Sequence, residues 1–132
     1  MSQQNVELVR AAYDFFDRTG RYPLHLIDPE IEMVESDELP GDLSGRGHAN
    51  LKRAEEILLD AFDEWRNEVE SVRAVGSDRV LVFLRFVATG KGSGVEVVAD
   101  MAHLATIRGR KIVRWEMYGD RKKALRAAGL DE

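Results

Sequence analysis

The residue best suited to chemistry is His103, in the middle of the apolar run VEVVADMAHLATI at 95–107. A neutral imidazole there accepts or donates one proton near neutral pH. Burial lowers its pKa, and a nearby carboxylate raises it. If this run is a strand, alternate residues share a face. His103 then sits with Ala99, Met101, Ala105 and Ile107, while Asp100, Ala102, Leu104 and Thr106 face the other way. A second run, Lys111 to Gly119, returns after Arg108-Gly109-Arg110. A three-residue turn sets His103 opposite Trp115, on a face with Val113 and Met117. A two-residue turn sets it opposite Glu116 instead. The first register separates apolar from polar side chains more cleanly, because Arg114, Glu116, Tyr118 and Asp120 then share the opposite face.

Other chemistries find little support. His25, His48 and His103 fall on three different elements without ligand-like spacing, so no metal is expected. The chain has no cysteine, which removes disulfides and thiolate chemistry and suits a reducing cytoplasm. GKGSG at 90–94 reads as a hairpin turn that opens no helix, unlike a phosphate-binding loop. No cofactor is implied. A net charge of −5 argues against nucleic acid or an anionic membrane as partner and leaves a small-molecule ligand. No stretch reaches the ~20 apolar residues of a membrane span, and no signal peptide is evident. With 132 residues, 44% apolar and 33% charged, the chain is expected to form a single domain over 1–132.

The elements that must position His103 follow from periodicity. Val6, Val9, Tyr13 and Phe16 recur at helical spacing and predict a helix over 4–19, ended by Gly20. A short helix is expected from Tyr22 to Ile27, then a break at Asp28-Pro29. Ile31, Met33 and Glu35 alternate with Glu32 and Val34 as a short strand. Asp37 to Gly47 reads as a loop, either the rim of a site or a plain connector. A long helix is expected from His48 to Arg66, with Leu51, Ala54, Leu58, Phe62 and Trp65 on one face. Then the period changes to two. Strands are predicted over 68–75, 79–88, 95–107 and 111–119. Short turns between them make an antiparallel meander. A short helix from Arg121 to Gly129 closes the chain.

This order resembles the SnoaL-like group of the nuclear-transport-factor-2-like (NTF2-like) superfamily. The resembling phrases include Asn5 to Tyr13 with Phe16, Asp28 to Glu32, Ser44 to Gly47, and Ala102-His103-Leu104. Lys111 to Arg114, Asp120-Arg121 and Ala127 to Leu130 also match. The likeness covers nearly the whole chain. It implies an α+β fold in which a strongly curved, mainly antiparallel sheet is covered by N-terminal helices and forms a cone, the cystatin-like roll. Members include ketosteroid isomerases, polyketide cyclases and non-catalytic proteins, so the fold leaves function open. In ketosteroid isomerases a tyrosine at the spacing of Tyr13 donates to the developing enolate. By the same resemblance their second donor maps to His103 and their general base to Glu35. SnoaL-like cyclases use a histidine and an acid, which here would be Glu35, Asp100, Glu116 or Asp120.

The expectation is a cone that holds a small, largely apolar, carbonyl-bearing molecule. Trp115, Met101, Met33, Phe62, Phe86 and Met117 would line it. His103, Tyr13 and Glu35 would supply cofactor-free acid/base catalysis. Two alternatives stand beside it: a binding protein without catalysis, and a dimeric module whose cone is filled by Trp65, Phe62, Phe86 and Trp115. Leu81, Phe83, Val87, Leu104 and Tyr118 on the outer sheet face suggest a homodimer.

Overall fold

In a computed structural model, residues 2–130 are described. Helix α1, Ser2–Thr19, buries Val9, Ala12, Tyr13 and Phe16, the stripe expected from their spacing. Gly20, at φ +72, donates its N–H to Phe16 O and ends the helix. A single 3-10 turn, Leu24–Leu26, stands where the short second helix was expected. Strand β1, Ile27–Glu35, starts four residues before the expected Ile31 and runs through Asp28-Pro29. Its pairing shifts register between Ile27 and Glu32. Pro29 lies in that interrupted stretch, where its missing N–H costs no ladder bond.

The long helix is shorter than its periodicity predicts. After the two-residue strand β2, Gly45–Arg46, helix α2 spans Gly47–Ala61 and stops there. Phe62 is already extended, at φ −133 and ψ 143. Strand β3, Phe62–Val75, therefore takes Phe62 and Trp65 away from the helix. They pair with Gly90 and Ala88 of strand β4, Arg79–Gly90. Lys91 N–H also donates to Ala61 O, so the turn after β4 meets the end of α2. Phe62 and Trp65 fit helical spacing as well as a strand, and cross-strand pairing decides between them.

Strands β5, Glu96–Arg108, and β6, Lys111–Tyr118, complete an unclosed mixed sheet of order β2-β1-β6-β5-β4-β3. The β3-to-β6 meander is antiparallel, and only β1 and β6 run parallel. The last hairpin follows neither expected register. Arg108 pairs with Lys111, and Gly109 and Arg110 have φ of 58 and 62, the two-residue turn that suits strand twist. One residue is then inserted in β6, because Ile107 pairs with Ile112 but Thr106 with Arg114. This bulge at Val113 sets His103 opposite Met117 and Ala105 opposite Trp115. His103, Trp115 and Met117 still share a face, with Ile112 in place of the expected Val113.

Both sheet faces are covered. The inner face packs Val80, Val82, Leu84 and Ala105 against Val9 and Tyr13 of α1 and Leu51 of α2. The outer face buries Leu81, Ala102 and Leu104 beneath Ala124 and Ala128, where helix α3, Arg121–Ala127, lies. Arg121 sets its guanidinium 4.7 Å from the Phe83 ring and donates to Leu84 O. This corrects the surface on which the homodimer expectation stood: Leu81, Val87 and Leu104 are 3%, 6% and 0% exposed. Phe83 and Tyr118 of that set stay partly accessible, and the chain's own last helix covers Leu81 and Leu104. Among the described residues, no helix is long and apolar enough to cross a membrane.

Gly45 locks the start of α2 by close approach. A Cβ there would lie 2.2 Å from Asn50 Oδ1, and Asn50 is buried with its Nδ2 donating to Leu43 O. Gly92, in the open turn before β5, has nothing within 4 Å of such a Cβ. In urea unfolding, Gly45→Ala is expected to lose about 2–3 kcal/mol, by overpacking against a satisfied buried amide. Gly92→Ala is expected to lose about 1 kcal/mol, the cost of a left-handed alanine alone. Equal losses would show that Asn50 yields freely.

Candidate functional site

Between α1, α2 and the inner sheet face lies a cavity of about 500 Å³. Pairing along the sheet sets its floor. Met33 of β1 is beside Trp115 of β6, which is beside Ala105 of β5. One row further, Glu35, Met117 and His103 lie side by side. Neighbouring strands are ~4.8 Å apart, so Glu35 and His103 stand roughly 10 Å apart with Met117 between them. Trp115, Met101, Met33, Phe62, Phe86 and Met117 all border the cavity, as do Tyr13, Glu35 and His103. Helix α1 brings Tyr13 in from above.

Tyr13 Oη and His103 Nδ1 are 2.5 Å apart, with the rings stacked at 9° between planes. Trp115 packs against both, 5.5 Å from Tyr13 and 5.3 Å from His103 between ring centroids. Burial pushes the His103 pKa down to about 3, so the imidazole is neutral. Burial, with the Tyr22 and Asp17 charges adding to it, pushes the Tyr13 phenol well above its ordinary value. Both groups are thus neutral, and in one of the two tautomers the phenol donates to Nδ1. The imidazole proton then sits on Nε2. Among the described residues no group bonds Nε2, yet no buried side-chain nitrogen or oxygen there lacks a partner. Nε2 therefore faces the cavity as a hydrogen-bond donor.

Glu35 has a second task. Leu43 N–H donates to its Oε1 at 2.9 Å, and its own N–H donates to Ser44 Oγ at 2.9 Å. Its carboxylate thereby ties down the segment 36–44, whose Leu39, Pro40, Asp42 and Leu43 border the cavity. The tip of this rim is held by Glu38, which accepts from Lys123 Nζ at 2.8 Å and from Gly119 N–H at 2.8 Å. Burial opposes ionisation of Glu38, but the bonds from Lys123, Ser36 and Gly119 outweigh it and hold its pKa down to about 2.

The other acids considered for a cyclase-like role stand elsewhere. Asp100 pairs with Arg85, Glu116 accepts from Tyr118 Oη, and Asp120 caps α3. His25 packs edge-on to Phe15, and His48 Nε2 bonds Ile27 O. Periodicity gave no sign of Tyr22, which lies after Gly20 in an irregular stretch. Its ring packs 4.9 Å from Phe16 and borders the cavity. Burial raises its pKa, and the Glu55 and Glu35 charges raise it further. Its ties to Tyr13 and Glu35 are electrostatic and its packing is on Phe16, all made across the fold and not along the chain.

Solved structures share this architecture from end to end. An NTF2-like protein of unknown function from Burkholderia pseudomallei is 20% identical, with 93% of this chain and 95% of that one covered at a TM-score of 0.76. The chain has an NTF2-like fold. TerC, co-crystallised with polyporic acid, is 25% identical over 96% of this chain and 98% of its own, with a TM-score of 0.74. A protein from Jannaschia sp. described as a SnoaL-like polyketide cyclase is 19% identical over 99% of this chain and 94% of its own, at 0.73. No family model matches the sequence, and no curated protein sequence does. Within the NTF2-like fold, then, function has to be argued from the cavity.

The buried imidazole makes stability depend on pH. Its folded pKa lies below the unfolded value of about 6.5, so the unfolded chain takes the proton first as pH falls. The stability it allows is full above about pH 6.5 and is lost toward pH 3, at up to about 1.4 kcal/mol per pH unit. Urea unfolding from pH 7.5 to 5 should show this slope in the wild type and a shallower one in His103→Gln. Parallel slopes would mean that His103 protonates as easily folded as unfolded.

Proposed function

We propose that this NTF2-like protein binds a small, largely apolar, carbonyl-bearing aromatic molecule in its cavity and acts on it by cofactor-free acid/base chemistry, as an isomerase or cyclase. The observation that carries the reading is the Tyr13–His103 pair, with a neutral imidazole on the cavity wall whose Nε2–H is free to donate when Tyr13 donates to Nδ1. A donor held this way suits a carbonyl oxygen that gains negative charge. Glu35, across Met117 and roughly two strand spacings away, would take the proton from the carbon beside that carbonyl. Trp115, Phe62, Phe86, Met101, Met33 and Met117 would grip the apolar body. The likeness to TerC, a protein co-crystallised with a small molecule, supports a ligand-holding cavity.

One observation favours a second reading, binding without turnover. Glu35 already accepts from Leu43 N–H, so its carboxylate serves the rim as well as any substrate. The cysteine-free composition suits the cytoplasm for either reading. A homodimer would need apolar surface other than Leu81, Val87 and Leu104.

The test uses 2-tetralone in D₂O, with ligand binding and α-proton exchange followed by NMR. Wild type is expected to bind the ketone and speed the exchange. Glu35→Gln should bind it and lose the exchange by ~10²-fold or more. His103→Gln should weaken both. Binding with no exchange above buffer would select the second reading, and no binding of this or related ketones would remove the first.

A further inference from the structure

The charge of the cavity lining narrows the ligand further, and this inference rests on the ligand-holding reading above. Two lining side chains are carboxylates, Glu35 on the floor and the exposed Asp42 on the rim. Among the described residues, no Lys or Arg borders the cavity. The nearby cations are committed elsewhere. Arg53 donates to Asn50 Oδ1 and Ser44 O behind the rim, and Lys123 is held by Asp37 and Glu38. His103 is neutral and offers a dipole where a cation would be needed. The Glu35 charge reaches the cavity wall, since it helps raise the Tyr22 phenol.

The rest of the wall is aromatic and apolar. Tyr13, Tyr22, Phe16, Phe62, Phe86 and Trp115 present ring surface to whatever enters. Ring faces attract a cation and repel an anion. Asn67 adds an amide at the wall whose Nδ2 is directed to Asp17 Oδ1, leaving its carbonyl oxygen as an acceptor. An anion entering this space would lose its water, gain no opposite charge and meet the Glu35 carboxylate in a weakly screened interior.

We infer that the cavity is charge-selective: it admits uncharged aromatics and protonated aromatic amines and rejects the corresponding carboxylates, with Glu35 as the main discriminating residue. An acid enters only in its neutral form or with a cation brought from outside the lining. Selectivity of this kind comes from a repulsive element as much as from an attractive one.

Three probes of one shape test it: 2-acetylnaphthalene, 1-(2-naphthyl)ethylammonium and 2-naphthoate, titrated calorimetrically at pH 7.5. Wild type is expected to bind the ketone and the amine and to bind the acid at least ~10-fold more weakly than the ketone. Glu35→Gln, which keeps an acceptor for Leu43 N–H, should shrink the ketone-to-acid gap to about threefold or less and weaken the amine. Asp42→Asn, at the exposed rim, should change the gap by less than about twofold, screened as it is by solvent. It keeps the test alive if Glu35→Gln fails to fold, because the wild-type ranking with an unchanged gap in Asp42→Asn then supports the assignment. Acid and ketone binding alike in wild type, or a gap that survives Glu35→Gln, would overturn the charge rule and leave a ligand-holding cavity. Failure of all three probes to bind would take down both readings together.

Discussion

An imidazole buried in an apolar interior needs a partner, and much of this structure follows from supplying one. His103 is 9% exposed and neutral, so an unpaired ring nitrogen there would cost about 1–3 kcal/mol. Tyr13, ninety residues earlier, meets Nδ1. The bond ties α1 to β5 through the inner core and sets the rotation of the helix over the sheet, because only one face of α1 carries a phenol at that height. With the phenol as donor, the ring keeps its proton on Nε2. Once Nδ1 is occupied, the remaining proton faces the cavity, and the ring becomes a donor. Trp115 packs against both rings and closes the third side, which holds the imidazole plane where the bond needs it.

The cavity exists because the two ends of the sheet are treated differently. Near Val80 and Ile107 the inner face is filled by α1 and by Ile27 and Ile112. Toward Phe86 and Met101 the cavity stays open, bordered by the rim 36–44, the end of α2, and Phe16 and Tyr22. That rim is secured at both ends by hydrogen bonds. Glu35 and Asn50 hold its inner end, and Glu38 ties its tip to Lys123 and to the backbone ahead of α3. The C-terminal helix therefore does two jobs. It covers Leu81 and Leu104 on the outer face, and it presents the lysine that steadies the mouth on the other side.

A dual role for Glu35 is physically consistent. A carboxylate has two oxygens, and the backbone N–H of Leu43 occupies one. Among the described residues the other oxygen has no hydrogen-bond donor, which leaves it for a ligand. Fastening the group to backbone limits its rotamers and fixes its direction, as an acid/base or discriminating group requires. The cost is that the rim and the chemistry cannot be altered independently at this residue.

The sequence by itself determined the order of elements, the faces of the strands and the identity of the central histidine. Strand alternation is a local property of the pleat, and it placed His103, Trp115 and Met117 on one side even though the register was wrong. Helical spacing likewise marked Tyr13 as inward. Three matters were decided only by tertiary structure. The end of α2 moved from Arg66 to Ala61, because Phe62 and Trp65 fit either period and pairing with β4 decided between them. The hairpin took a two-residue turn plus a bulge at Val113, a compromise between turn geometry and core-facing Ile112 that no residue pattern announces. The outer face was covered by α3, so residues that looked exposed are buried. Tyr22 and the charge balance of the cavity lay beyond the sequence for the same reason: a wall is assembled from side chains far apart in the chain, and only the fold states which of them meet.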